Sequence, residues 1–113
     1  MREILFRGKL KTDNGEYKKG DWVYGDFVTL IDGKEKHPHI YGKGEVKAET
    51  IGQYTGLTDK NGTKIFENGY FVIDEQTYKV VFDNAQYILT NIFSCDIILL
   101  KDNSNKGVFI DEI

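Results

Sequence analysis

One cysteine, one proline and one tryptophan in 113 residues exclude several protein classes at the outset. With Cys95 alone no internal disulfide can form, so the fold must rest on a packed core rather than on covalent staples. No apolar run approaches the roughly 20 residues of a membrane span. The first apolar stretch, Ile4-Leu5-Phe6, stops far short of a signal peptide. A cytoplasmic protein without a membrane partner is the expectation. An excess of positive charge is missing as well. Residues 1–36 carry eight Lys/Arg against seven Asp/Glu, residues 37–69 four against four, and residues 70–113 three against seven. No block supplies the basic face of a phosphate-backbone binder.

Signatures of catalysis and cofactor binding are absent too. Gly42-Lys43-Gly44 lacks the third glycine and the following helix of a dinucleotide cradle. Ser94 and Cys95 are adjacent, but neither sits in a Gly-flanked elbow. Cys95 opens the apolar run Cys95-Asp96-Ile97-Ile98-Leu99-Leu100 and has no basic neighbour to lower its pKa, so it reads as a buried, inert thiol. The acidic pairs Asp74-Glu75 and Asp111-Glu112 would point to opposite sides of a strand, whereas acid–base work needs convergent groups. His37-Pro38-His39 would present two imidazoles on one side of an extended segment. A zinc ion needs more, and only Glu45 and Glu49 lie nearby, so two solvated histidines beside a proline account for the motif better. No catalytic residue, no metal set and no cofactor is named by the sequence.

What is present points to strands. Aromatics reach 13% of the chain, with seven Tyr and seven Phe, and twelve glycines punctuate short apolar stretches. Asn14-Gly15, Asp32-Gly33, Asn61-Gly62 and Asn68-Gly69 are turn signals that supply positive φ angles. Within Asp21–Ile31, Trp22, Tyr24, Val28 and Leu30 fall on one side and Val23, Phe27 and Ile31 on the other. Both sides are apolar, which predicts one strand covered on both faces. Ile51–Leu57 and Lys64–Phe66 flank a turn and read as a hairpin. Phe71–Ile73 and Tyr78–Phe82 form a second across Asp74-Glu75-Gln76-Thr77. Tyr87–Asn91, Asp96–Lys101 and Val108–Ile110 follow, and Glu45–Thr50 suits a single helical turn. The expected class is all-β with at most a short helix, built as a small barrel-like domain.

Two segments carry a resemblance. Arg7-Gly8-Lys9 through Asp13-Asn14-Gly15 to Trp22-Val23-Tyr24-Gly25-Asp26-Phe27-Val28 resembles the opening of the YopX-like phage proteins. The run from Glu49 to Glu67, with Gly52-Gln53-Tyr54-Thr55-Gly56-Leu57 and Asp59-Lys60-Asn61-Gly62 inside it, is similar to that family's hallmark GQYTGLxDKNGxxIYEGD. The chain departs from it at Glu67-Asn68-Gly69, where the family has Glu-Gly-Asp, and it lacks the family's closing Asn-Ile-Tyr-x-Asn-Pro. The resemblance implies one domain over residues 1–113, with an N-terminal β part at 1–48 and an SH3-like part at 49–113. It also implies a protein encoded by bacteriophages or prophages, and it brings no catalytic residues.

Three functions compete. The favoured one is a non-enzymatic accessory protein that binds a host or phage protein, or its own copies as a homo-oligomer, through Trp22, Tyr24 and Tyr54. The alternative is nucleic-acid binding through an SH3-like surface and a stripe of Lys9, Lys11, Lys18, Lys19 and Lys34. An enzyme centred on His37 and His39 is the least favoured.

Overall fold

The structure, a computed structural model, describes residues 3–112, so the outermost residues of the expected spans 1–48 and 49–113 lie outside it. The chain is almost entirely strand and turn, as its composition predicts, and divides into two compact units, Glu3–Gln53 and the residues from Tyr54 onward. Among the described residues no helix is long and apolar enough to cross a membrane.

In the first unit β1 (Phe6–Lys9) pairs antiparallel with β2 (Trp22–Gly25) and, through Phe6 and Arg7, with the first residues of β6 (Gly52–Thr58). β3 (Phe27–Asp32), β4 (Glu35–Ile40) and β5 (Gly44–Glu45) make a second, three-stranded sheet in that order. Leu10, Val23, Ile40 and Val46 form the core between these elements, with Phe6, Tyr17 and Ile51 packed against it. The expected single strand Asp21–Ile31 is thus two strands. Gly25 adopts φ 155°, a backbone region open to glycine, and the chain then turns away to pair with β4 rather than extending β2. The helical turn expected within Glu45–Thr50 is a 3₁₀ turn at Ala48–Thr50. The Thr50 hydroxyl donates to the Lys47 carbonyl at 2.6 Å and accepts the Lys9 amide at 2.9 Å, which fixes the turn to β1.

In the second unit the rest of β6 pairs with β7 (Lys64–Phe66), and β8 (Tyr70–Ile73), β9 (Gln76–Asp83), β10 (Gln86–Asn91), β11 (Ile97–Leu99) and β12 (Val108–Ile110) form a five-stranded sheet in the order β11-β10-β9-β8-β12. Ile65, Phe71, Val80, Leu89 and Leu100 are fully buried, each contributing about 1.5–3 kcal/mol of apolar burial. The expected barrel does not close. The terminal strands β11 and β12 are three residues each and pair only with β10 and β8, and 3₁₀ turns at Leu100–Asp102 and Ser104–Lys106 carry the chain between them. The strand expected at Asp96–Lys101 is shortened by the first of those turns. Cys95, expected to be buried, is exposed with φ 65° in the reversal between β10 and β11. That reversal is tied by Asn91, whose side-chain oxygen accepts the amides of Phe93 and Ser94 at 2.9 and 3.0 Å.

Two hairpins in this unit are tighter than the sequence suggests. β8–β9 turns on Asp74 and Glu75 alone, and β9–β10 on Asn84 and Ala85 alone, and all four residues have positive φ. This is the geometry that glycine adopts without steric cost. Glu75→Gly and Ala85→Gly are each expected to stabilise the unit by about 0.5–1 kcal/mol, the relief of the left-handed strain exceeding the entropy lost to glycine. Thermal melts of the two variants would check this, and a lowered midpoint would refute it.

Candidate functional site

β3 differs from every other strand of the first unit. Five of its six residues are exposed, on both of its faces, and among them are Phe27, Leu30 and Ile31. The register explains why. Phe27 lies opposite Ile40 and its ring meets Phe6 edge-on at 5.6 Å, so the start of the hairpin is anchored on the core. Beyond that point Leu30 stands opposite His37 and Ile31 opposite Lys36, and the hairpin projects into solvent with Leu30 53% and Ile31 70% exposed. The two-residue turn Gly33-Lys34 closes it, Gly33 taking φ 60°. Along the face that carries Val28 and Leu30, a shallow concavity of about 400 Å³ runs past His39 to Tyr41 and Gly42, and Tyr41 is 73% exposed. Large apolar side chains left in water at the end strand of a sheet mark a contact surface.

A chain of charges borders this face. Lys11 Nζ lies 3.1 Å from Glu45 Oε2, and the same oxygen is 3.3 Å from His37 Nδ1, whose Nε2 is 3.6 Å from Glu35. Hydrogen bonds from Lys11 first, then from His37, hold the Glu45 carboxyl below the ordinary carboxylate range. A carboxyl whose pKa is depressed on folding adds stability above its unfolded pKa and loses it as pH falls through its folded value. Replacing Lys11 by Met is therefore expected to raise the Glu45 midpoint in an NMR pH titration, and an unmoved midpoint would refute the assignment. His39 Nδ1 meets the His37 carbonyl at 2.9 Å, so the two imidazoles are engaged separately. Among the described residues no group of three or more His, Cys, Asp and Glu is arranged to hold a metal ion.

Of the aromatic residues singled out in the sequence, Trp22 and Tyr24 stand two apart on β2 and Tyr54 belongs to the second unit. Trp22 is half-buried, its ring under the Arg7 guanidinium at 3.8 Å and near the Lys9 ammonium at 5.3 Å. Tyr24, two residues on in β2, is 42% exposed. Tyr54 is a core residue of the second unit, only 7% exposed and packed on Phe66 at 5.7 Å. The five lysines of the expected stripe all lie in the first unit. Lys9 is half-buried, Lys11 is paired with Glu45, and Lys34 sits at the tip of the β3–β4 hairpin. Lys18 and Lys19 lie in a loop whose amides are bound by the carboxylates of Asp21 and Asp13. Lys11, Lys19 and Lys47 do line one open concavity, but Glu45 and Glu49 line it with them.

The hallmark segment has a structural role in the second unit. Asp59 is buried, and its carboxylate accepts the amides of Asn61 and Thr63 at 2.8 and 2.9 Å through one oxygen and that of Phe109 at 2.8 Å through the other. The turn between β6 and β7 is thereby tied to β12. The family model described as YopX protein matches residues 6–110. The chain belongs to the YopX protein family. No curated protein gives a significant match to it. Where this YopX-family chain departs from the hallmark, Asn68 takes φ 70°, a left-handed conformation that asparagine tolerates better than most residues, so Asn stands in for Gly at the turn. The hallmark segment thus builds the hairpin and its tie to β12, while the exposed apolar residues of β3 belong to the first unit and Phe82, Phe93 and Ile97 are exposed in the second.

Proposed function

We propose that the chain is a non-enzymatic accessory protein of a phage or prophage, working in the cytoplasm of its bacterial host as a protein-binding module. The observation that carries this reading is the end strand β3, which exposes Leu30 and Ile31, with Leu30 sharing a concavity with the exposed Tyr41. Burying such residues against a protein surface would recover the apolar free energy that the isolated chain forgoes. The phage setting is supported by the resemblance of the opening and hallmark segments. The nucleic-acid reading draws less support, because the carboxylates of Glu45 and Glu49 lie among the lysines that would have to neutralise phosphate.

The test is a pull-down from host lysate in nuclease-treated and untreated halves, with wild type beside the Leu30→Glu, Ile31→Lys double variant. A protein retained after nuclease by wild type and lost by the variant, either from the lysate or a differently tagged copy of this chain added to it, is the expected result. Enrichment that disappears with nuclease, or that survives both substitutions unchanged, would overturn the proposal.

A further inference from the structure

We infer that the occupant of the β3 edge is a second copy of this chain, paired β3 to β3 about a two-fold axis with Leu30 facing Leu30. This rests on the reading of β3 as the contact strand and specifies its partner. Pro38 shows which backbone groups are available. Its carbonyl accepts the Val46 amide at 2.9 Å, so it is turned away from β3, and proline has no N–H to offer. Thr29, opposite Pro38, therefore belongs to a non-hydrogen-bonded pair. By alternation Val28, Leu30 and Asp32 bond to β4, while the N–H and C=O groups of Phe27, Thr29 and Ile31 face outward. The edge carries none of the usual blocks: Phe27–Asp32 has no Pro, no Lys and no break in register.

The register follows from symmetry and charge. A two-fold axis normal to the sheet keeps each face on its own side, so outward-facing residues must meet outward-facing residues. Centring on Thr29 sets Asp26 against Asp32 of the second copy, and centring on Val28 sets Asp26 against Leu30 and gives Lys34 no acidic partner. Centring on Leu30 sets Val28 against Asp32 but brings Asp26 within reach of Lys34 at both ends and places Thr29 opposite Ile31, where each pair exchanges two backbone hydrogen bonds. Within the chain, neither Asp26 nor Lys34 has an ion-pair partner among the described residues. The three-stranded sheet β5-β4-β3 then continues across the axis into its copy, and Leu30 gains Leu30 of the second copy, and Ile31 its Thr29, as cross-strand neighbours.

Sedimentation equilibrium over a concentration series tests this. Wild type is expected to show a reversible monomer–dimer equilibrium. Thr29→Pro removes only an outward N–H, so it should leave the hairpin folded, with Trp22 fluorescence unchanged, and abolish the dimer. Asp26→Lys and Lys34→Asp should each weaken the dimer about tenfold, and the double swap should restore it. Wild type that stays monomeric throughout, a Thr29→Pro variant that dimerises as wild type does, or an Asp26→Lys variant that dimerises more tightly would each overturn the inference. If wild type is monomeric yet its lysate partner is lost on Leu30→Glu, Ile31→Lys, only the second copy is wrong. If neither partner nor dimer depends on β3, the reading of β3 itself has failed.

Discussion

Asp59→Ala is expected to destabilise the second unit by about 3–5 kcal/mol, enough to leave a marginally stable fold largely unfolded under ordinary conditions. One carboxylate serves three backbone amides, those of Asn61, Thr63 and Phe109. Hydrogen bonds to a charged acceptor are worth about 1.5–3 kcal/mol each. The loss is not uniform. Asn61 and Thr63 lie in an exposed turn where water can replace the acceptor, whereas the Phe109 amide is buried and would be stranded. Asp59→Asn keeps one carbonyl-type oxygen but points an NH₂ group toward backbone donors, and it should recover about half of the deficit. Urea denaturation followed by a probe in this unit measures both variants. Amide exchange should rise first at Phe109, far away in sequence from the substitution. A loss below about 1 kcal/mol for Asp59→Ala would show that the turn does not depend on this carboxylate.

How much of this was legible in the sequence depended on where the deciding information lay. Asp59-Lys60-Asn61-Gly62 announced a turn because asparagine and glycine carry their backbone preference locally, and β6 and β7 flank it as expected. The hairpin after Ile73 is legible too, but not that it and the next turn on only two residues each, because Glu75 and Ala85 sit in left-handed conformations that their side chains disfavour and that pairing across long strands imposes. The role of Asp59 toward Phe109 spans fifty residues, and no local pattern encodes it. Tyr54 and Leu30 show the same limit for the site. Both are large residues in strand segments, and only the tertiary arrangement decides that Tyr54 is 7% and Leu30 53% exposed. The apolar character of both sides of Asp21–Ile31 was a true signal. It predicts a strand covered on both faces, whereas β3 leaves Thr29, Leu30, Ile31 and Asp32 exposed.

Gly107→Ala is expected to cost about 3 kcal/mol or more, and the cause is space rather than backbone angle. Gly107 has φ −150° and ψ −169°, an extended conformation that alanine adopts freely. An added Cβ would collide with the Val72 carbonyl oxygen and would lie 2.7 Å from Phe71 Cε2 and 2.8 Å from Ile73 Cγ1. None of these can yield cheaply, because Phe71 is fully buried and Val72 is held in the β8–β12 ladder opposite Val108. Relief requires β12 to move off β8. That movement would also break the hydrogen bond from the Lys60 amide to the Gly107 carbonyl at 3.2 Å and pull the Phe109 amide from Asp59. The two substitutions therefore act on one contact. The double variant Asp59→Ala, Gly107→Ala should lose less than the sum of the single losses, by about 1 kcal/mol or more. Strict additivity in that cycle would mean that β12 is held by β8 alone and that the Asp59 tie is incidental. Strong coupling would establish the β6–β7 turn as the clamp that seats the last strand.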